Sequence, residues 1–353
     1  MPPLPSHEYH VGIICALHIE MAAMRAMLDE EHGTFSKKAI HDHNTYFGGQ
    51  IHNHNVVIAC LPAGIDGVVA AGTVAKDMSR TFEQLRFGLL VGTGAGIPNL
   101  EAGVDVRLGD VVVSRPSGVY GGVVQYYRGK SKAGGMWEPK GMLNAPPVVL
   151  LTALQSLQAE YELEDSRMPS YLAKMLERRP KMRSMGYARP EMDKDVLYLA
   201  AYHHVVGRTT CDACEVAQTL ARPPRVSTDP QIHYGVIASG DRVVNDAVTR
   251  DRLRQDYGAL CVEMEAAGLM NDFPCLVIRG ICGYADSHKN ENWRRYGAAT
   301  AAAYAKELLL HASIEETSQE KPVQQILGKS SETTRSEQDW AEQFFSKKQV
   351  TFQ

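Results

Sequence analysis

The stretch Gly258 to Asn290, GALCVEMEAAGLMNDFPCLVIRGICGYADSHKN, decides how this chain is read. Its pattern is strand, sharp turn, short helix, strand and polar loop. Val262-Glu263-Met264-Glu265 puts two acids around a methionine at the end of one apolar run, and Arg279 lies inside the next. Charged residues are rarely buried unless paired, so these placements point to a built site rather than a solubilising surface.

Upstream, the same alternation repeats. Tyr9 to Ala16 (YHVGIICA) is a short apolar run that passes through Leu17-His18-Ile19-Glu20 into a helix rich in Met and Ala, expected to end near Gly33. Val56 to Pro62 reads as the next strand, with a helix over Val68 to Met78 behind it. Phe87 to Val91 is another, and Gly92-Thr93-Gly94-Ala95-Gly96 reads as a glycine turn after it. Gly109 to Ser114 is a further strand, Gly121 to Lys130 a turn into a polar loop, and Pro147 to Glu160 a helix with a proline start. Tyr234 to Ser239 resumes the sheet, and Gly297 to His311 reads as an amphipathic helix that closes the domain.

Near-continuously hydrophobic strands alternating with helices imply an α/β fold, a mostly parallel sheet covered on both faces. In such sheets ligands lie beyond the carboxyl ends of the strands. Glu20, the cluster Gly92 to Gly96, Glu263, Glu265 and the loop after Cys282 are therefore expected on one edge.

The chain has 353 residues, with Lys+Arg 37 against Asp+Glu 41 and a formal charge of −4. That length suits one large domain with insertions. Residues 1–314 form that domain, 162–225 a charged, proline-punctuated insertion with at most two helices, and 315–353 a polar tail with too few apolar residues to order itself. Trp340, Phe344 and Phe345 could form a short docking helix in that tail. No long basic block argues for nucleic acid, no run of eighteen apolar residues argues for a membrane span, and the N-terminus lacks signal-peptide regions. Seven cysteines, five of them in apolar runs, suit free thiols in a reducing, cytoplasmic setting.

The chemistry follows from residue types. A carboxylate at a strand end accepts from two neighbouring hydroxyls, so Glu263 and Glu265 suit a ribose diol, with Met264 beside the sugar face; alternatively Glu265 begins the next helix, where the dipole favours it. Glu20 is placed to be the general base for a water or a first-turn helix carboxylate. GTGAG lets backbone approach a ligand, yet it is neither GxGxxG nor a phosphate loop. Cys211 and Cys214, with His203 and His204 upstream, resemble half a zinc site; zinc wants four ligands, so reduced thiols and no metal are the expectation. Trp137 and Trp293 are read as packing residues.

Several stretches together resemble the nucleoside phosphorylase and nucleosidase superfamily, and within it the N-terminal domain of fungal NACHT, ankyrin or tetratricopeptide proteins of immune-receptor type. They are VGIICALHIEMAAM, DHNTYFGGQI, HNVVIACLPAG, VGTGAGIP, RLGDVVVS, GGVVQYYRGK, HYGVIASGD, VEMEAAG and VIRGICGYADSHKN, spanning about Tyr9 to His311. The resemblance implies a three-layer α/β/α fold and cleavage of the N-glycosidic bond of a purine nucleoside or nucleotide. It places Glu20 at the water-activating carboxylate, Met264 and Glu265 at the ribose, Val243 and Val244 against the base, and Arg279 at a strand arginine that orders the site. Ala16, Gly94, Ala95, Gly96 and Glu263 complete the expected binding residues.

Two departures stand out. Where the family carries its acid, an aspartate, this chain has Gly283, with Asp286 three residues on as the nearby replacement; and Tyr127 stands where relatives commonly have aspartate. Leu90 lies where a phosphate-using member has arginine, and Glu20 would repel phosphate, so water is the expected nucleophile. The leading expectation is hydrolysis of an adenine nucleoside or nucleotide, ATP among them, with no cofactor. A catalytically impaired nucleotide-binding module is the alternative, and a phosphorylase the third. Arg128, Lys130, Arg242, Arg294 and Arg295 are candidate phosphate contacts. A homo-oligomer is expected, and the tail is where further receptor domains would attach.

Overall fold

A computed structural model describes residues 2–133, 137–190, 195–208, 210–288 and 291–326. Strand β1 (Val11–Cys15) leads into helix α1 (His18–Met27). A β-meander follows, built from β2 (Glu30–Thr34), β3 (Tyr46–Ile51) and β4 (His54–Cys60). Helix α2 (Gly67–Thr81) then returns the chain to β5 (Phe87–Gly96), and β6 (Val111–Ser114) and β7 (Val123–Gln125) come next. Beyond a small hairpin of β8 (Gly129–Ser131) and β9 (Trp137–Pro139) lie helices α3 (Val148–Tyr161), α4 (Met168–Arg178) and α5 (Pro180–Ser184). The last third holds β10 (Ile232–Ser239), α6 (Ala247–Tyr257), β11 (Ala259–Glu263), β12 (Cys275–Gly283), α7 (Arg294–His311) and α8 (Ile314–Gln319).

The main sheet runs β11-β10-β6-β12-β5-β1-β4-β3-β2, with β7 on β10. Pairings of β5 with β1 and β12, of β1 with β4, and of β10 with β6 and β11 are parallel, while β12–β6 and the β2–β3–β4 meander are antiparallel. Helices lie on both sides, which makes the expected three-layer α/β/α arrangement. One pairing goes beyond that plan: the far end of β5 meets β11 antiparallel, Ala95 opposite Val262 and Gly96 opposite Cys261. Strands β5, β12, β6, β10 and β11 thereby close into a ring.

That closure overturns the glycine turn. GTGAG is the second half of β5, and none of its glycines has a positive φ. The glycines answer to crowding: a Cβ on Gly94 would sit 2.5 Å from Cys261 Sγ, and one on Gly96 would sit 2.9 Å from both Ile281 and Val106. Other expectations change as well. Helix α1 stops at Met27, because Glu30–Thr34 pairs with β3 as an edge strand. The segment expected as turn and polar loop after Gly121 holds β7 and β8. Helix α7 is not amphipathic; fourteen of its residues, from Tyr296 to Leu309, are buried, so it is a central helix between the sheet and α1, α3 and α4. Small side chains allow this: Gly297 of α7 and Gly280 of β12 face each other, and a Cβ on Gly280 would lie 1.8 Å from the Gly297 carbonyl oxygen.

Order also continues past Ile314. Ser313 caps α8 by accepting from Glu316 N–H, Val323 is buried, and its N–H donates to Leu85 O at 2.8 Å. Segment 162–225 contributes α4, whose Met168, Leu172 and Met175 are buried in the core. Trp293 is fully buried beside Tyr296, as a packing residue should be. Trp340, Phe344 and Phe345 lie outside the described residues. Among the described residues, no helix is long and apolar enough to cross a membrane.

Candidate active site

The carboxyl ends of β1, β5, β11 and β12 open into a cavity of about 240 Å³, the size for a small molecule rather than a polymer. Ala16, Glu20, Gly94, Ala95, Val243, Val244, Glu263, Met264, Glu265, Arg279 and Asp286 all line it. Gly96 does not; it is spent in the β5–β11 pairing that closes the ring.

Glu20 reaches the cavity because α1 begins where β1 ends. Leu17 is the extended N-cap residue, and Glu20, at the third helical position, turns back to accept from the N–H groups of Ala16 and Leu17, each at 3.0 Å. This is the reciprocal half of a capping box. Its other oxygen accepts from the N–H of Thr93 at 2.7 Å and from the Thr93 hydroxyl at 2.8 Å. Four donors fill the roughly four acceptor sites of a carboxylate. Glu20 therefore caps α1 and also lines the cavity, and the Thr93 hydroxyl is the one of its four donors that can rotate away.

The floor of the cavity is an ion cluster. Arg279, fully buried in β12, sends Nη2 to Glu263 and Glu265, the latter at 3.0 Å, and Nη1 to the Thr93 carbonyl at 3.3 Å. Glu263 also accepts from the N–H of Glu265 at 3.0 Å and of Ala266 at 3.0 Å, both at the oxygen that faces Arg279, so it fixes the turn out of β11. Glu265 bears fewer bonds and faces the cavity. Burial pushes its carboxyl up to about 7, outweighing the opposing pull of Arg279. Gly92 makes the cluster possible, since a Cβ there would sit 2.5 Å from Arg279 Nη1 and 2.9 Å from the Glu20 carboxyl.

The rim is built differently. Asp286 is buried, its Oδ1 accepts from the His288 N–H at 2.9 Å, and its Oδ2 stands 3.9 Å from Arg250 Nη1. Burial raises its carboxyl above the usual range, against the pull of His288 and Arg250. Gly283 leaves a gap: a Cβ there would meet nothing within 4 Å. Of the candidate phosphate contacts, Arg242 and Arg294 line the cavity, Arg294 paired with Glu291 at 3.1 Å. Arg128, Lys130 and Arg295 do not line it.

Thr93 and His288 were missed. Thr93 is the one hydroxyl in GTGAG, a signal visible in the sequence; His288 has none, because its place depends on the loop after β12. Among His/Cys/Asp/Glu side chains, His204, Cys211 and Cys214 bring ligand atoms within 4.8 Å of one another, where no metal was expected.

The carboxylate-lined cavity thus lies at the strand ends of a ring-closed α/β/α sheet. Over residues 10–312 the chain matches the model of the phosphorylase superfamily, and it belongs to that superfamily. It is 44% identical over 310 residues to a nucleotide-binding leucine-rich repeat (NLR)-like protein of Hyaloscypha variabilis, a match covering 87% of this chain and 30% of that protein. It is 30% identical over 89 residues to an ATP nucleosidase of Escherichia coli, covering 24% of this chain and 18% of that one. The chain thus spans less than a third of the length of either relative. In fold it is similar to the 5'-methylthioadenosine/S-adenosylhomocysteine nucleosidase of Helicobacter pylori, with a TM-score of 0.54 at 16% identity, covering 85% of this chain and 97% of that one.

Proposed function

We propose that the domain hydrolyses the N-glycosidic bond of an adenine nucleoside or nucleotide, releasing the free base, and that ATP is among its substrates. The observation that carries this reading is the floor: Glu20, Glu263 and Glu265 converge around a single guanidinium. Three carboxylates against one cation favour a transition state in which the sugar becomes an oxocarbenium-like cation. The same charge disfavours phosphate as nucleophile.

In this reading Glu265 accepts from the ribose hydroxyls with Met264 against the sugar, while Val243 and Val244 pack on the base. Water attacks the anomeric carbon and gives its proton to Glu20 once the Thr93 hydroxyl has turned away. The bond to the purine breaks with its electron pair on the base, and Asp286, its carboxyl raised by burial, supplies the proton. Arg242 and Arg294 would meet phosphates at the cavity mouth, and the E. coli relative described as an ATP nucleosidase supports that extension. Free cysteines suit a cytoplasmic setting. We further propose a homo-oligomer; size-exclusion chromatography with light scattering checks it, and a monomer at all concentrations would contradict it.

A second reading has one observation in its favour, the gap at Gly283. There the domain binds nucleotide and cleaves it slowly or not at all. The experiment is incubation with adenosine, AMP and ATP in phosphate-free buffer, with chromatography for free adenine. Adenine without phosphate supports hydrolysis. Release that depends on phosphate would make the domain a phosphorylase, and binding without release would select the second reading.

A further inference from the structure

The segment from Leu197 to Arg225 stands over the exit of β12. Its hold on that exit is polar: Arg222 donates to the Tyr284 hydroxyl at 2.8 Å, and His204 N–H donates to Ser287 Oγ at 2.9 Å. Within it, Cys211 and Cys214 flank one turn of 3₁₀ helix, with Cys214 N–H donating to Cys211 O at 2.9 Å. Both thiols are half-buried and free. A nitrogen of His204 and the two Sγ atoms lie within 4.8 Å of one another.

The surroundings point to a ligand at this cluster. His204 Nε2 lies 3.0 Å from the Thr210 carbonyl, an acceptor, so Nε2 carries the proton and Nδ1 keeps a free lone pair. Metal-binding histidines are commonly oriented in this way, by a carbonyl on the other nitrogen. Beside them His288 is buried, its ring 5.6 Å edge-on from His204; its Nδ1 faces Asp286 Oδ2 at 3.6 Å, and its Nε2 has no hydrogen-bond partner among the described residues. A buried ring nitrogen without a partner, here Nε2, costs free energy that a ligand would recover. Two thiols three residues apart, with a histidine brought in by a short loop, are the soft donor set of zinc.

We propose that His204, Cys211 and Cys214 bind a zinc ion, with the fourth position facing His288 and filled by it or by water. With bonds of about 2.3 Å to sulfur and about 2.0 Å to nitrogen, tetrahedral geometry puts the ligand atoms roughly 3.5–3.8 Å apart. The cluster needs a closure of roughly 1 Å to reach that. The ion acts as a clasp. Tyr198, whose hydroxyl lies against both thiols, stacks on His288 at 3.9 Å, and His288 holds Asp286 through its backbone N–H. Zinc at the thiols therefore fixes the rim of the nucleoside cavity without touching its floor, and this stands or falls separately from the identity of the substrate.

The test uses the full chain, purified under reducing conditions without a metal-affinity step. Elemental analysis is expected to find about one zinc per chain. After chelation, cobalt(II) should bind with a thiolate-to-cobalt charge-transfer band and tetrahedral d–d bands, and zinc should displace it. The double variant Cys211→Ser, Cys214→Ser should lose both bands, and His204→Gln should weaken cobalt binding by at least about 10-fold. Zinc at background level together with cobalt that binds without a charge-transfer band would overturn the proposal, as would equal cobalt spectra for native chain and double variant. If the double variant fails to fold, the cobalt spectrum of the native chain decides alone.

Discussion

Arg279 and Asp286 follow one another along β12 and its exit, yet their surroundings are opposite in kind. Arg279 sits under a lattice of bonds in which Glu20 takes four donors and Glu263 is held by two backbone N–H groups and the guanidinium, and where even Gly92 is required by crowding. Around Asp286 the contacts are looser, with no side chain at Gly283, the His288 imidazole at 3.6 Å and the Arg250 guanidinium at 3.9 Å. In the proposed reading the floor holds the sugar and the rim delivers the proton to the departing base, and the rim carries Gly283 where the resemblance implies an aspartate. On that reading binding and proton delivery are separable, and substitutions can probe each.

The largest effect is expected at the floor. Glu20→Gln should lower adenine release by ~10²–10⁴-fold, the usual worth of a general base, with nucleoside affinity little changed. Single-turnover assays beside equilibrium binding separate the two. An equal loss in both would make Glu20 a packing residue only.

Arg279→Met should destabilise the domain by about 3–5 kcal/mol, because it leaves Glu263 and Glu265 buried without their cation. Urea unfolding measures it. A loss below about 1 kcal/mol would mean that water already screens the floor.

Third comes pH. With the Glu265 carboxyl pushed up to about 7, nucleoside affinity should fall as pH drops through that value, by about tenfold per unit below it, since only the carboxylate accepts from both hydroxyls. Stability of the empty domain moves the other way: the folded state binds the proton more tightly than the unfolded one, so stability declines as pH rises from the ordinary carboxylate range toward 7. Titration calorimetry across that range should show the slope, and Glu265→Gln should abolish it.

The smallest effect is expected at Gly92→Ala, about 1–3 kcal/mol of destabilisation from forcing a methyl between Arg279 and Glu20. A neutral result would show that the cluster relaxes more freely than its bonding suggests.

The floor was legible in the sequence and most of the rim was not, for physical reasons. Acids that end apolar runs, at Glu20, Glu263 and Glu265, are local signals, and the parallel alternation of β1, β4, β5, β11 and β12 carries them to one edge. GTGAG misled because glycine is common in turns, and only the crowding of β5 between β11 and β12 reveals it as strand. Strand β2 is mostly polar and charged and β3 is interrupted by two glycines, so neither carries an alternating apolar signal. Helix α7 looked amphipathic, since its alanines gave no hint of cover from α1, α3 and α4. The spacing of Cys211 and Cys214 with histidines upstream showed half of a metal-ligand set; that His204 joins the thiols and His288 stands beside them depends on the loop's fold over β12, which no spacing encodes.

The central claim is that the floor is complete and the acid at the rim is what this chain has altered. Gly283→Asp measures it most directly, assayed for adenine release beside the native chain and Asp286→Asn. An aspartate fits there, since nothing lies within 4 Å of the added Cβ. The account predicts a rate increase of ~10²–10⁴-fold in Gly283→Asp with nucleoside affinity little changed, and a residual native rate that Asp286→Asn lowers further. No increase in Gly283→Asp, with binding intact, would contradict it.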